Sequence, residues 1–243
     1  MPEMTTVLVY SAAAALTAGA GVLPLPARGQ ASAAWLGWSN AIAAGLMLGA
    51  AYVLLAAGDA LETMALAAGA GLGIGFTYAA HAVSGTHDLE LTSLSNGSAD
   101  YARKVVWVHI LHAAPEGVTI GVAMILSPEL GAAMTLAIAA HNIPESALLG
   151  AVLMSQGASR QRAAALATGS RSGQVLLAAG TYLGLGAWPA AVPWAVGFAV
   201  AGLIYLVMAE LLPECYRHTG ATSVAVVIMI AMGLVVVLAG WLS

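Results

Sequence analysis

Two copies of a short motif each place a histidine and a glutamate on the same face of a predicted helix. The first copy is residues 112–116 (His-Ala-Ala-Pro-Glu) and the second is residues 141–145 (His-Asn-Ile-Pro-Glu). Histidine and glutamate are four residues apart in each copy, so both side chains leave the same side of the helix. The proline between them cannot donate a backbone hydrogen bond, which predicts a kink and a freed carbonyl in each helix. The side chains that could do chemistry are His112, Glu116, His141 and Glu145.

Both motifs lie in long apolar stretches, and the turn between them centres near residues 127–128. Glu116 and His141 are about 11 and about 13 residues from that turn, so in antiparallel helices they meet near the middle of a membrane. A carboxylate at that depth is costly and usually faces a cavity with a partner. Two imidazoles and two carboxylates suit Zn²⁺, with Fe²⁺, Mn²⁺, Co²⁺ and Cd²⁺ as alternatives. The sequence therefore predicts an intramembrane site for a divalent metal; the alternative is two hydrogen-bonded His–Glu pairs that brace kinked helices.

Three other side chains are weaker ligand candidates. Asn142 could serve equally well as an oxygen ligand or as the holder of a water beside the metal. His109 lies one turn before His112 and is a candidate ligand on the release side, with a structural hydrogen bond as the equal alternative. Met47 offers a thioether, although packing is the commoner role of a buried methionine.

Polar residues at the predicted inner ends of the helices could form an exit path for a metal. The candidates around the predicted cytoplasmic loop are His81, His87, Asp88 and Glu90, and those at the end of the seventh span are Glu210 and Glu214. The spacing of the two glutamates predicts that they share one helix face. The alternatives are a solvated loop around His81 and glutamates that mark the membrane interface.

The composition is that of a membrane protein. Of 243 residues, 60% are hydrophobic and 7% are charged, and the mean hydropathy is +0.90. A soluble domain carries about 25% charged residues. The formal net charge of −4 and the lack of a basic patch exclude a nucleic-acid partner, and the single cysteine excludes a cysteine-rich metal site. The 28 glycines favour close packing of helices, and a homodimer would suit such a small bundle.

The apolar stretches predict an all-α fold with eight transmembrane helices in one domain over residues 1–243. A bilayer core of about 30 Å needs about 20 apolar residues per helix. The predicted spans are 5–25, 36–57, 62–82, 104–126, 130–154, 162–184, 190–212 and 221–242. The first of these is too long for the core of a signal peptide, so we expect it to be retained.

The positive charges predict the orientation of this bundle. Lysine and arginine collect on the cytoplasmic side of membrane proteins, and here they follow the odd-numbered spans. Both termini are therefore predicted to lie on the outer side, with residues 84–103 as a cytoplasmic loop. Arg171 falls inside the start of the sixth span, from which its side chain could snorkel back to the cytoplasmic surface.

At its two motifs the chain resembles the ZIP (Zrt/Irt-like) family of divalent-metal transporters, in particular the small prokaryotic branch. The matching stretches are residues 112–117 (His-Ala-Ala-Pro-Glu-Gly) and 141–146 (His-Asn-Ile-Pro-Glu-Ser). Weaker likenesses lie at residues 17–24, around Met47 and at residues 205–214, so the resemblance extends over nearly the whole chain.

The resemblance implies a transporter, not an enzyme, that moves zinc or another divalent metal towards the cytoplasm by alternating access. It implies a multi-pass protein of a prokaryotic cell (inner) membrane, whose partners are metal ions and the lipid bilayer, with no organic cofactor. The implied main transport site consists of His112, Glu116, His141 and Glu145. Asn142, with the two glutamates bridging, is the implied remnant of a second, adjacent site.

Two positions depart from the family pattern. Ala113 replaces the usual asparagine, and Leu176 stands where the family often has a glutamate. Gln174 is the only nearby amide and is a further, weaker ligand candidate. We therefore expect one well-built metal site and one degraded site. Because of these departures, a metal sensor or a homologue that does not transport is an alternative function. A further alternative is an intramembrane metal-dependent hydrolase, in which a glutamate would activate metal-bound water.

Overall fold

The computed structural model describes residues 3–26, 32–86 and 98–242. Over these ranges the chain folds into ten α-helices with no β-strand, which confirms the all-α prediction for the described residues. The helices are α1 Met4–Val22, α2 Ala33–Ala57, α3 Thr63–Ser84, α4 Ala99–Leu126, α5 Pro128–Ser155, α6 Arg160–Ser170, α7 Ser172–Ala187, α8 Val192–Leu206, α9 Leu212–His218 and α10 Ala221–Leu242. Most of the predicted loop 84–103 (residues 87–97) lies outside the described residues.

Seven helical stretches in the described part of the chain are long and apolar enough to cross a membrane. They are Met4–Val22, Ala34–Ala57, Thr63–Ser84, Ala99–Leu126, Pro128–Ser155, Pro189–His218 and Ala221–Leu242. The chain is thus a multi-pass membrane protein. The sequence predicts eight spans, and the predicted sixth span, 162–184, is the one that does not appear among these seven stretches.

The predicted sixth span, 162–184, is not one continuous helix. α6 has 11 residues and α7 has 16, and they meet at Arg171, whose backbone has φ −88° and ψ 2°. Serine and glycine are weaker helix formers than alanine, and they flank this junction at Ser170, Ser172 and Gly173. The helix is thus interrupted at the residue whose side chain enters the bundle.

The seventh predicted span, 190–212, is also irregular. After α8 the chain makes one wide, π-helical turn at Val207–Leu211 before α9 begins. Pro213 lacks an N–H and its ring crowds the carbonyl of Ala209, which favours a widened turn at this place. A π-helical turn adds a residue to the helix and changes the register of the side chains that follow. Glu210 lies within this turn.

Glycines allow α3 and α8 to pack backbone against backbone. A Cβ atom on Gly69 would collide with the backbone of Trp194, and one on Gly197 would collide with the backbone of Leu66. Such small residues are what allow helices in lipid to approach closely. The glycine-rich segment of α3 is therefore a packing surface.

The helices that carry the two motifs are held by similar contacts. Gly21 in α1 lies against the backbone of Ile143 in α5. In α4, Gly117 lies against the backbone of Gln174 and Gly121 against that of Ala178, both in α7. α4 and α5 are joined by Ser127 alone, so they form an antiparallel pair. The motif helices are thus clamped between α1 and α7.

We predict that Gly69→Ala destabilises the protein whereas Gly71→Ala does not. A methyl group at residue 69 meets the backbone of α8, whereas one at residue 71 meets open space. Overpacking of this kind costs about 1–3 kcal/mol. Thermal unfolding of the detergent-solubilised protein should show a lower Tm for Gly69→Ala only. Equal Tm values for the two variants would contradict the proposed packing of α3 on α8.

Candidate metal centre

The structure brings the two motifs together in the interior of the bundle. His112 and Glu116 on α4, and His141 and Glu145 on α5, are each at most 2% exposed. Pro115 and Pro144 lie inside their helices, as the motif requires. The four side chains divide between two neighbouring groups of possible metal ligands instead of forming one.

The first cluster consists of Glu116, His141 and Glu145. One ligand atom from each lies within 4.8 Å of the others. Nε2 of His141 is 2.9 Å from Oε2 of Glu145 and 3.8 Å from Oε1 of Glu116. Neither ring nitrogen of His141 makes a hydrogen bond to any residue that the structure describes. One imidazole and two carboxylates are a donor set that suits Zn²⁺ and other late divalent metals.

The second cluster consists of His81, His112 and Glu210, whose ligand atoms also lie within 4.8 Å of one another. Nε2 of His112 is 3.0 Å from one carboxylate oxygen of Glu210, and Nε2 of His81 is 2.9 Å from the other. Nδ1 of His81 lies 2.9 Å from the hydroxyl of Thr86. A hydrogen bond at that nitrogen leaves Nε2 of the ring to face the glutamate, an orientation that metal-binding histidines commonly need.

One contact joins the two clusters. Nδ1 of His112 lies 2.6 Å from Oε1 of Glu145. His112 therefore contacts Glu145 of the first cluster through one nitrogen and Glu210 of the second through the other. The predicted ligands are contiguous, but the structure adds His81 and Glu210 to them.

The prediction that Arg171 snorkels to the surface is wrong. Its side chain is fully buried, and Nη1 donates to both carboxylate oxygens of Glu116 at 2.8 Å. Nη2 donates to Oε2 of Glu145. A charge inside a membrane protein is stabilised by partners in the interior as well as by the interface, and here two carboxylates supply them.

Asn142 and Gln174 turn their amide nitrogens towards α1. Nδ2 of Asn142 donates to the carbonyl of Ala14 at 2.8 Å and to Oε1 of Gln174 at 3.3 Å. Nε2 of Gln174 donates to the carbonyl of Ser11 at 3.4 Å. Oδ1 of Asn142 has no hydrogen-bond partner within the described ranges, so it is the atom of this pair that could serve a ligand.

The remaining candidates lie beside the clusters. His109 is buried, with Nδ1 2.9 Å from the carbonyl of Val105 and Nε2 3.2 Å from the carbonyl of Glu145. These backbone contacts favour the structural alternative for His109. Met47 is 2% exposed and lines a small recess together with His141. Its role as a ligand stays a prediction.

The positions that depart from the family pattern lie on different sides of the bundle. Ala113 is buried against α7, where a Cβ on Gly173 would meet its methyl group at 3.7 Å. Leu176 is 73% exposed, so it faces away from both clusters. The residue of this region that engages the carboxylates is Arg171.

Two features of this centre differ from the sequence prediction. The sequence signal for the first is the place of Arg171 within an apolar stretch, because an arginine there indicates a buried acidic partner. The second is Glu210, which the helical spacing groups with Glu214 at the inner end of the bundle. In the structure Glu214 lies 3.2 Å from Arg217, whereas Glu210 lies between His81 and His112.

Comparison with known proteins relates this chain to two proteins that carry zinc-transporter names, while no family model matches it. It is 29% identical over 232 residues to an Arabidopsis thaliana protein named "Putative zinc transporter At3g08650", which is 92% of this chain and 36% of that protein. It is 33% identical over 108 residues to "Zinc transporter GufA" of Myxococcus xanthus, which is 44% of this chain and 42% of that protein. The chain thus spans less than half the length of each of these relatives.

We predict that Asn142→Ala lowers stability more than Asn40→Ala. Both asparagines are fully buried, but the amide of Asn142 bonds to α1, whereas that of Asn40 has no hydrogen-bond partner in the part of the chain that the structure describes. The two substitutions remove the same atoms, so the difference reports the lost hydrogen bond, worth about 1 kcal/mol. Thermal unfolding of both metal-free variants tests this. A larger loss for Asn40→Ala would argue against the attachment of α5 to α1 by Asn142.

Proposed function

We propose that this chain is a ZIP-family transporter that moves a divalent metal, zinc before others, towards the cytoplasm through the two His/Glu clusters. The observation that carries the proposal is the contact of His112 with Glu145 and Glu210, which makes two buried ligand groups contiguous inside an apolar bundle. The paired motifs and the names of the two relatives support the same function. Zinc is preferred because imidazole and carboxylate ligands suit it and because both relatives carry zinc-transporter names.

The two clusters suit successive positions of one ion. The side chains of the first are at most 3% exposed, whereas that of Glu210 in the second is 14% exposed. One member of the second cluster, His81, lies near the end of α3 that the charge distribution assigns to the cytoplasm, whereas His112 lies in the middle of α4. We therefore assign the first cluster to metal held in the membrane interior and the second to metal on its way out.

Movement of the metal requires the bundle to expose these ligands to one side at a time. Transporters commonly achieve this with interrupted helices beside the site, which can rearrange without breaking whole helices. The junction of α6 and α7 at Arg171 and the wide turn at Val207–Leu211 are two such interruptions. We propose that α6 and α7 together form an eighth crossing, with both termini outside. A prokaryotic cell membrane is the proposed location.

A metal sensor or a homologue that does not transport is the second candidate function. It is favoured by Arg171, because a guanidinium bound to both glutamates of the first cluster opposes entry of another cation. The hydrolase alternative receives no such support, since a general base needs a glutamate that is not already held by an arginine.

We predict that zinc uptake into proteoliposomes depends on the first cluster. Glu145→Gln should lower the initial rate by at least about tenfold, because even partners of metal ligands contribute about 10–100-fold to affinity or activity. Glu129→Gln is the matched control, since Glu129 is exposed in the first turn of α5. Radioactive zinc in the vesicle interior is the measurement.

Two outcomes of that assay would count against transport. Tight zinc binding by the purified wild type without uptake would favour the sensor. Equal uptake rates for Glu145→Gln and Glu129→Gln would show that the first cluster is not part of the transport path. Competition by Fe²⁺, Mn²⁺, Co²⁺ and Cd²⁺ in the same vesicles would identify the preferred metal.

We further predict that Glu210→Gln slows zinc transport and leaves zinc affinity nearly unchanged. Loss of this carboxylate removes a ligand of the second cluster, so uptake should slow by about tenfold. Zinc affinity measured by calorimetry should stay within about threefold, because the first cluster keeps its ligands. Glu214→Gln, on the same segment but beside Arg217, should retain the wild-type rate. Equal uptake by both variants would exclude the second cluster from the path.

A further inference from the structure

The guanidinium of Arg171 occupies the space between the two carboxylates of the first cluster. Nη1 donates to both oxygens of Glu116, and Nη2 donates to Oε2 of Glu145. Arginine presents a rigid fork of donors that matches carboxylates, and such charge-assisted bonds are the strong ones. One positive charge thus bridges the same two glutamates that a divalent ion would bridge.

This bridge provides a charge that the glutamates need in the absence of metal. Glu116 and Glu145 are 0% and 2% exposed, and two ionised carboxylates in such a setting are strongly destabilising without a cation. The neighbouring histidines contact Glu145 at 2.6 Å and 2.9 Å, but the nearer histidine to Glu116 is 3.8 Å away. Glu116 therefore depends mainly on Arg171.

The remaining donor atoms define where one metal ion could bind. Oε2 of Glu145 lies within reach of both His141 and Arg171, so a metal held by His141 at this oxygen would lie directly beside the guanidinium. Two cations that share one carboxylate oxygen repel each other. Bound arginine and bound metal must therefore compete for the glutamates.

The position of Arg171 in the fold would allow its guanidinium to move away from the two glutamates. Its backbone lies at the junction of α6 and α7, and its Nε has no hydrogen-bond partner among the residues described. The side chain is thus held by its terminal nitrogens alone. The guanidinium can therefore shift by breaking only its hydrogen bonds to the two glutamates, because Nε makes no hydrogen bond within the described ranges that would have to break.

We propose that Arg171 is an affinity-determining residue, a tethered cation that holds the place of a second metal between Glu116 and Glu145. The first cluster then takes a single divalent ion, on the side of His141, and binds it more weakly than the same ligands would without the arginine. This inference rests on the proposed metal site, but it concerns binding and not transport.

Calorimetric zinc binding to the purified full-length protein tests the inference. All proteins carry Glu210→Gln, so that the titration reports on the first cluster. Arg171→Gln should bind zinc at least about tenfold more tightly, or bind one more zinc per chain, because the competing charge is gone. Arg171→Lys keeps the charge but not the fork of donors, so its zinc affinity should lie closer to that of the parent than to that of Arg171→Gln. Parent-like or weaker zinc binding by folded Arg171→Gln would overturn the proposal.

A second variant covers the case in which Arg171→Gln does not fold. Arg171→Gln combined with Glu116→Gln removes one charge of each sign, so we expect it to fold without metal. Zinc at saturating concentration should then rescue the single variant, because a ligand that binds only the folded state stabilises it. If the double variant folds and zinc fails to rescue the single one, the tethered-cation role is refuted.

The same proteins distinguish this inference from the proposed function. Absence of zinc uptake by wild-type vesicles, with the calorimetric difference intact, would overturn transport and leave the role of Arg171 standing. Wild-type uptake together with equal affinities for the arginine and glutamine proteins would overturn the role of Arg171 alone.

Discussion

The structure depends on the cost of placing two carboxylates where water is scarce. Glu116 and Glu145 are buried in an apolar bundle, and each needs positive charge or hydrogen-bond donors close by. That need accounts for the burial of Arg171, which a membrane helix would otherwise direct to its end. It also accounts for the close contacts of Glu145 with His112 and His141. Glu116 and Glu145 therefore depend on Arg171 and the two histidines for compensation of their charge.

Irregular backbone is what allows apolar helices to present these groups. Prolines interrupt hydrogen bonding in α4 and α5 beside the glutamates, the α6–α7 junction admits Arg171, and a wide turn carries Glu210. In lipid, such irregularities are tolerated where the backbone is buried in protein. The glycine contacts between α1 and α5, and between α4 and α7, place these interruptions side by side. The close packing at the glycines thus determines which polar groups of the interrupted helices come together.

Local features of this centre could be predicted from sequence, and its long-range pairings could not. The four-residue spacing in each motif, the turn near residues 127–128 and the apolar helices follow from helix geometry and hydropathy. The burial of Arg171 depends on carboxylates 55 and 26 residues away in the chain, and no local pattern specifies that pairing. Glu210 lies in a widened turn, so the regular helical spacing that groups it with Glu214 does not place it beside His81 and His112. The side chains missed were those whose partners lie on other helices.

The position of His112 determines how the two clusters can work together. A histidine that binds metal through one nitrogen usually donates its other N–H to a carboxylate, which fixes the ring. His112 has such a carboxylate on each side, Glu145 at Nδ1 and Glu210 at Nε2. If zinc binds Nε2 in the second cluster, Glu145 is needed as the acceptor for Nδ1 and is less available as a ligand in the first. Occupation of the second cluster would then weaken metal binding in the first. In the proposed transport path, this coupling would oppose the return of an ion from the second cluster to the first, whose glutamates Arg171 would again bridge.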